Sequence, residues 1–166
     1  MSRIESLLGQ INLARGYTQS MFEGLEPEDW FRMAGDGVTH IAWQVGHLAV
    51  GEYYLGLIRI RGPREDDASL LTEELMTLFG KGSTPSADAA AYPSVAEIRA
   101  FFDRVHEQVV KELGELPDAV LDEPTEPPHP MFSTKLGALA FCPMHEMLHA
   151  GQIGLIRRLL GKVPLH

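Results

Sequence analysis

The sequence predicts an all-α protein. Apolar residues recur at helical spacing in four long stretches, and no stretch carries convincing strand periodicity. Each helical stretch is also bounded by a cap residue, a glycine or a proline. The 166 residues suit one domain, 1–166, with a core of its own. The expected architecture is a four-helix bundle with a long crossover connection between its second and third helices.

The first helix is expected from residue 2 to about 23, with Ile4, Leu7, Leu8, Ile11 and Ala14 on its inner side. Ser2 followed by Glu5 is a capping-box pair. Leu25 to Val38 reads as a connection with one turn near Glu28–Met33, pinned to the core by Trp30 and Phe31. The second helix runs from Thr39, as N-cap, to about Ile60, where Gly62-Pro63 stops it. It is apolar on nearly every side, as a helix buried among others must be. His40, in its first turn, reads as a near-surface residue.

Arg61 to Pro93 changes composition, with Asp66-Asp67, Gly80, Gly82 and Pro85. A short helix over Leu70–Phe79, stopped by Gly80, is expected inside this crossover. The third helix spans about Ser94 to Leu116. Ile98, Phe102, Val105, Val109 and Leu113 form its apolar stripe, and Ser94 with Glu97 repeats the capping box. His106 reads as a surface histidine beside that stripe. Pro117 to Ser133 is a proline-rich connection unsuited to helix. The fourth helix covers about Thr134 to Leu160, ends at Gly161, and should kink at Pro143.

Fourteen basic against twenty-three acidic residues give a net charge of -9. That balance argues against nucleic acid or an anionic membrane as partner, since phosphate binding relies on basic patches. The densest basic group, Arg59, Arg61 and Arg64, is small. One cysteine, Cys142, rules out an internal disulfide and reads as a core residue rather than a nucleophile. No signal peptide or stretch of roughly 18 apolar residues is visible, so a cytoplasmic location is expected.

The chemistry concentrates in Cys142-Pro-Met-His-Glu-Met-Leu-His-Ala-Gly-Gln152. His145 and His149, four apart on one helix, share a face and can converge on one point. His47 on the second helix is the candidate third ligand. Three imidazoles leave a fourth position for water or substrate, the mark of a catalytic metal site. Neutral imidazole suits zinc, nickel, iron or copper, so the ligand set does not name the metal; zinc or nickel is expected foremost, then iron. Glu146, Gln152 and Glu52 are the expected partners of the second ring nitrogens. His145-Glu-Met-Leu-His149 also matches H-E-x-x-H, in which Glu146 would be the general base. No Asp or Glu follows His149, and Gln152 and Leu155 occupy the positions of the extended protease motif. His166 is a poor ligand candidate. Glu146 stays a candidate for proton transfer, although it leaves the helix about 100° from His145.

Ile41-Ala-Trp-Gln-Val-Gly-His-Leu48, paired with His145-Glu-Met-Leu-His-Ala-Gly-Gln-Ile153 and Ile156-Arg-Arg-Leu-Leu-Gly-Lys-Val-Pro164, resembles the DinB superfamily, the DinB/YfiT-like group. The resemblance covers essentially the whole chain in helix order. It implies a four-helix bundle, often in homodimers, with a divalent metal on His47, His145 and His149. It also implies a small-molecule substrate. Characterised relatives include transferases and isomerases that use low-molecular-weight thiols such as bacillithiol or mycothiol. A thiol S-transferase is therefore the leading expectation. A metal-dependent hydrolase and a non-catalytic, stress-associated dimeric bundle are the alternatives.

Overall fold

Ser2 and Glu5 start the first helix as their spacing predicts. Glu5 N–H donates to Ser2 Oγ at 3.0 Å and Ser2 N–H to the Glu5 carboxylate at 2.7 Å. The computed structural model describes residues 1–164, so His166 lies outside the described residues. Among those residues the protein is all-helical. It has five α-helices and no strand, with β-pairing limited to an isolated bridge between Pro124 and Thr134.

The helices are α1 (Arg3–Ser20), α2 (Ile41–Tyr53), α3 (Glu73–Phe79), α4 (Val95–Gly114) and α5 (Lys135–Leu159). A π-helical turn, Tyr54–Ile58, and a last α-turn, Arg59–Arg61, extend α2. Gly62, at φ 78°, then ends it, a conformation that glycine reaches without steric cost. α3 starts at Glu73 under a Thr72 cap, later than the expected Leu70, because a 3-10 turn occupies Glu65–Ser69. The proline-rich connection also holds a 3-10 turn, Asp118–Asp122. α5 continues unbroken through Pro143.

Two expectations for α2 need correction. Its N-cap is His40 rather than Thr39: Trp43 N–H donates to His40 Nδ1 at 3.0 Å. Thr39 Oγ1 accepts instead from the Gln44 amide at 2.5 Å. His40 is 0% exposed, not near-surface. Folding back on the first turn places its ring between Phe31 and Tyr92, with centroids 5.7 and 4.9 Å away.

α2 packs against α3, α4 and α5, while α1 packs against α4 and α5. Three glycines five residues apart let neighbours reach the backbone of α2. A Cβ would lie 2.4 Å from the Phe79 ring at Gly46, 2.6 Å from His145 Cε1 at Gly51 and 2.7 Å from Val109 Cγ1 at Gly56. The predicted α4 stripe is buried: Ile98, Phe102, Val105 and Val109 are all 0% exposed. Each such side chain contributes about 1.5–3 kcal/mol. Trp30 is buried as expected. Arg61 ties the segment after α2 to α4, donating to Asp67 at 2.6 Å and to Glu112 at 2.7 Å. No helix among the described residues is long and apolar enough to cross a membrane.

Candidate metal centre

Helical spacing aligns His145 and His149 on α5, and the packing of α2 across them brings in His47. One candidate ligand atom from each of the three lies within 4.8 Å of the other two. Ring centroids are 4.6 Å apart for His145–His149, 4.9 Å for His47–His149 and 5.5 Å for His47–His145. No further His, Cys, Asp or Glu joins this group among the described residues. His47 and His145 are half-buried and His149 is 8% exposed, so the cluster sits at the edge of the core.

Two of the rings are held by their Nδ1 atoms. His47 Nδ1 lies 2.7 Å from the Phe79 carbonyl, which it can reach only as a donor. That carbonyl belongs to the last turn of α3, where helix carbonyls lack an intrahelical partner. His149 Nδ1 lies 2.5 Å from Gln44 Oε1. The Gln44 amide nitrogen donates to Thr39 Oγ1 and, at 2.8 Å, to Gln152 Oε1. Its oxygen is thereby left to accept from His149. Both rings therefore carry their proton on Nδ1 and present the Nε2 lone pair, the arrangement metal-binding histidines adopt. His145 is placed differently, its ring resting on the bare backbone of Gly51.

Burial keeps all three neutral. It is the largest influence lowering His47, opposed by the Phe79 backbone contact. It also lowers His145 to about 4, with His47 adding to the shift. His149 is lowered to about 3 by burial and by the neighbouring His145 and His47. Neutral imidazoles with converging lone pairs are the donor set a divalent transition metal takes, and these residues fit one. Aromatic side chains flank them. Trp43 stacks on His47 at 4.6 Å with planes 8° apart, and Phe141 lies 6.0 Å from His145.

The expected supporting carboxylates are elsewhere. Glu146 and Glu52 turn into the interior and pair with Arg15 of α1. Glu146 thus faces away from the ring nitrogens, and burial raises its pKa. Gln152 acts one step out, through Gln44. His106 is not a free surface residue. It is half-buried, 2.8 Å from Glu52 Oε1 and 3.0 Å from Asn12 Oδ1, drawn in by the buried Glu52 carboxylate. Cys142 is buried, and burial holds its thiol pKa well up, as suits a core residue. The orienting groups missed in the sequence are Gln44 and the Phe79 carbonyl. Gln44, three residues before His47, carried a weak signal as an amide on an otherwise apolar helix. A backbone carbonyl carries none.

The fold and site define a helical protein with a three-histidine group that could hold one metal ion. The chain belongs to the DinB superfamily, whose family model matches residues 10–153. No curated protein matches it.

Proposed function

We propose that the protein is a metal-dependent enzyme that transfers a low-molecular-weight thiol to an electrophilic small molecule. His47, His145 and His149 would hold the ion. We read the four long helices as a bundle and residues 62–94 as its crossover. The observation that carries the proposal is the convergence of three neutral imidazoles with no fourth protein ligand in the group among the described residues. A divalent ion there would supply Lewis acidity, lowering the pKa of a thiol or water at the remaining position.

The chain's own residues favour the thiol. A hydrolase needs a base to manage water's protons, and Glu146, the nearest carboxylate in sequence, is committed to Arg15. A thiol, with an ordinary pKa of about 8.5, ionises with far less help. Trp43 and Phe141 flank the rings with apolar surface suited to an organic thiol or electrophile.

A homodimer is part of this reading. Leu13 of α1 and Met144 and Met147 of α5 line one apolar groove while 76, 64 and 43% exposed. A cytoplasmic location, where such thiols are kept reduced, accompanies it. Elemental analysis of wild type beside His47→Ala and His145→Ala is the test. About one metal per chain is expected in wild type and little in either variant. Metal-dependent loss of free thiol with an electrophile should follow the same pattern. Stoichiometric metal retained by a folded His47→Ala variant would sink the ligand assignment. Turnover of ester or amide substrates without thiol would favour the hydrolase.

A further inference from the structure

Behind the histidines, on the side facing α1, lies a second polar cluster. Arg15 of α1, Glu52 of α2 and Glu146 of α5 are 2, 2 and 3% exposed. Arg15 Nε donates to Glu146 Oε1 at 2.8 Å, and Nη2 donates to Glu146 Oε2 at 3.3 Å and to Glu52 Oε2. Nη1 donates to the Phe102 carbonyl of α4 at 2.7 Å, and the guanidinium lies 3.4 Å from the centroid of the Phe102 ring. One side chain of α1 thus touches each of the other three long helices.

Its two carboxylate partners have particular places in the sequence. Glu146 directly follows His145, and Glu52 directly follows Gly51, the residue on which the His145 ring rests. Consecutive helical residues leave the axis about 100° apart. The same two turns therefore send an imidazole contact one way and a carboxylate another. Rotation or sliding of α2 or α5 moves both together. A guanidinium fork has fixed donor directions, so bonding to both carboxylates constrains the spacing and rotation of the two helices. Stability alone is a poor reason for such a cluster, because apolar replacements of buried ion pairs often fold as well or better. A ligand set, by contrast, must be held to within about 0.5 Å.

We propose that Arg15 is a positioning residue for the three-histidine group, its fork setting the approach of α2 and α5 at the turn where His145 meets Gly51. The functional consequence rests on the metal-binding reading above, whereas the positioning is a property of the metal-free chain.

Arg15→Lys keeps the charge and loses the fork. In a folded metal-free variant, with far-UV circular dichroism unchanged, the His145 ring resonances should shift in ¹H–¹⁵N spectra. Cobalt(II) affinity should fall about 10–100-fold, the range for groups that orient ligands, with altered d–d absorption. Arg61→Lys, which disturbs a pair with Asp67 and Glu112 away from the histidines, should change none of these. If Arg15→Lys does not fold, the triple variant Arg15→Met, Glu52→Gln, Glu146→Gln removes clamp and buried charge together and should show the same shifts. Wild-type His145 resonances and cobalt(II) affinity in a folded variant would overturn the proposal while leaving the metal reading intact. A wild type that takes no cobalt(II), with His145 still responding to Arg15→Lys, would support the clamp and remove the metal reading.

Discussion

α2 and α5 carry two polar clusters on different sides, and the clusters obey opposite rules. On the α1 side, Arg15, Glu52, Glu146 and His106 bond to one another, donor to acceptor. On the other side, His47 and His149 spend their N–H groups outward, on Phe79 and Gln44, and turn acceptors toward a common point with His145. The first set is closed on itself. The second is complementary to a cation. The first network pairs its buried groups within the chain, whereas the second leaves ring acceptors free to take a cation. That contrast separates a structural network from a binding one more sharply than burial does.

The contrast breaks most severely at Gly51, which stands between the two sides. Gly51→Ala puts a methyl group into the His145 ring, and metal affinity should fall by about 100-fold. Helical content should be kept, since alanine is the better helix former; competition titration of cobalt(II) against a chelator reads the loss. Gln44→Ala removes the His149 acceptor and should cost about 10–100-fold by the same titration. Gln152→Ala, one bond further out, should cost less than about 10-fold, below the range for a direct partner. Equal losses from Gln44 and Gln152 would mean that the chain Gln152–Gln44–His149 acts as one unit.

His40 sharpens the comparison with an effect on stability alone. Burial lowers it to about 4, so the folded chain refuses a proton that the unfolded chain accepts near 6.5. Its contribution is fully present above pH 6.5 and is lost as pH falls from 6.5 to 4, at up to about 1.4 kcal/mol per pH unit. His40→Asn keeps a capping side chain and should remove the His40 share of that slope. The share of His47, His145 and His149 remains, because burial also lowers their pKa values. Urea unfolding of the two metal-free proteins at pH 7 and pH 5 measures the difference.

Local patterns made much of this legible. The capping boxes at Ser2 and Ser94 sit where their spacing predicts. The His145–His149 spacing placed both rings on one face. His47, on a second buried helix, is the candidate third ligand even without the family resemblance, which points to the same three residues. What escaped depended on contacts between distant segments. Glu52 and Glu146 were read as partners of the histidines because they lie beside them in sequence, yet each turns instead to Arg15, 37 and 131 residues away. The Phe79 carbonyl is set by where α3 ends in space. The burial of His40 depends on Tyr92, across the long connection. The π turn in α2 has no pattern that distinguishes it from the apolar helix around it.

That turn, Tyr54–Ile58, marks a seam in α2. A π turn behaves as one residue inserted into an α-helix. Upstream of it stand His47, Gly51 and Glu52, which face the two polar clusters; downstream stand Arg59 and Arg61, which hold the connecting segments. The wider turn absorbs that residue, so deleting one residue within it would restore ordinary pitch and leave the helix on either side close to its present phase. The arginines would keep facing their partners and the histidine turn would keep its register. In evolutionary terms, a single-residue insertion or deletion is accommodated at this seam without disturbing either the ligands or the anchors of the connecting segments.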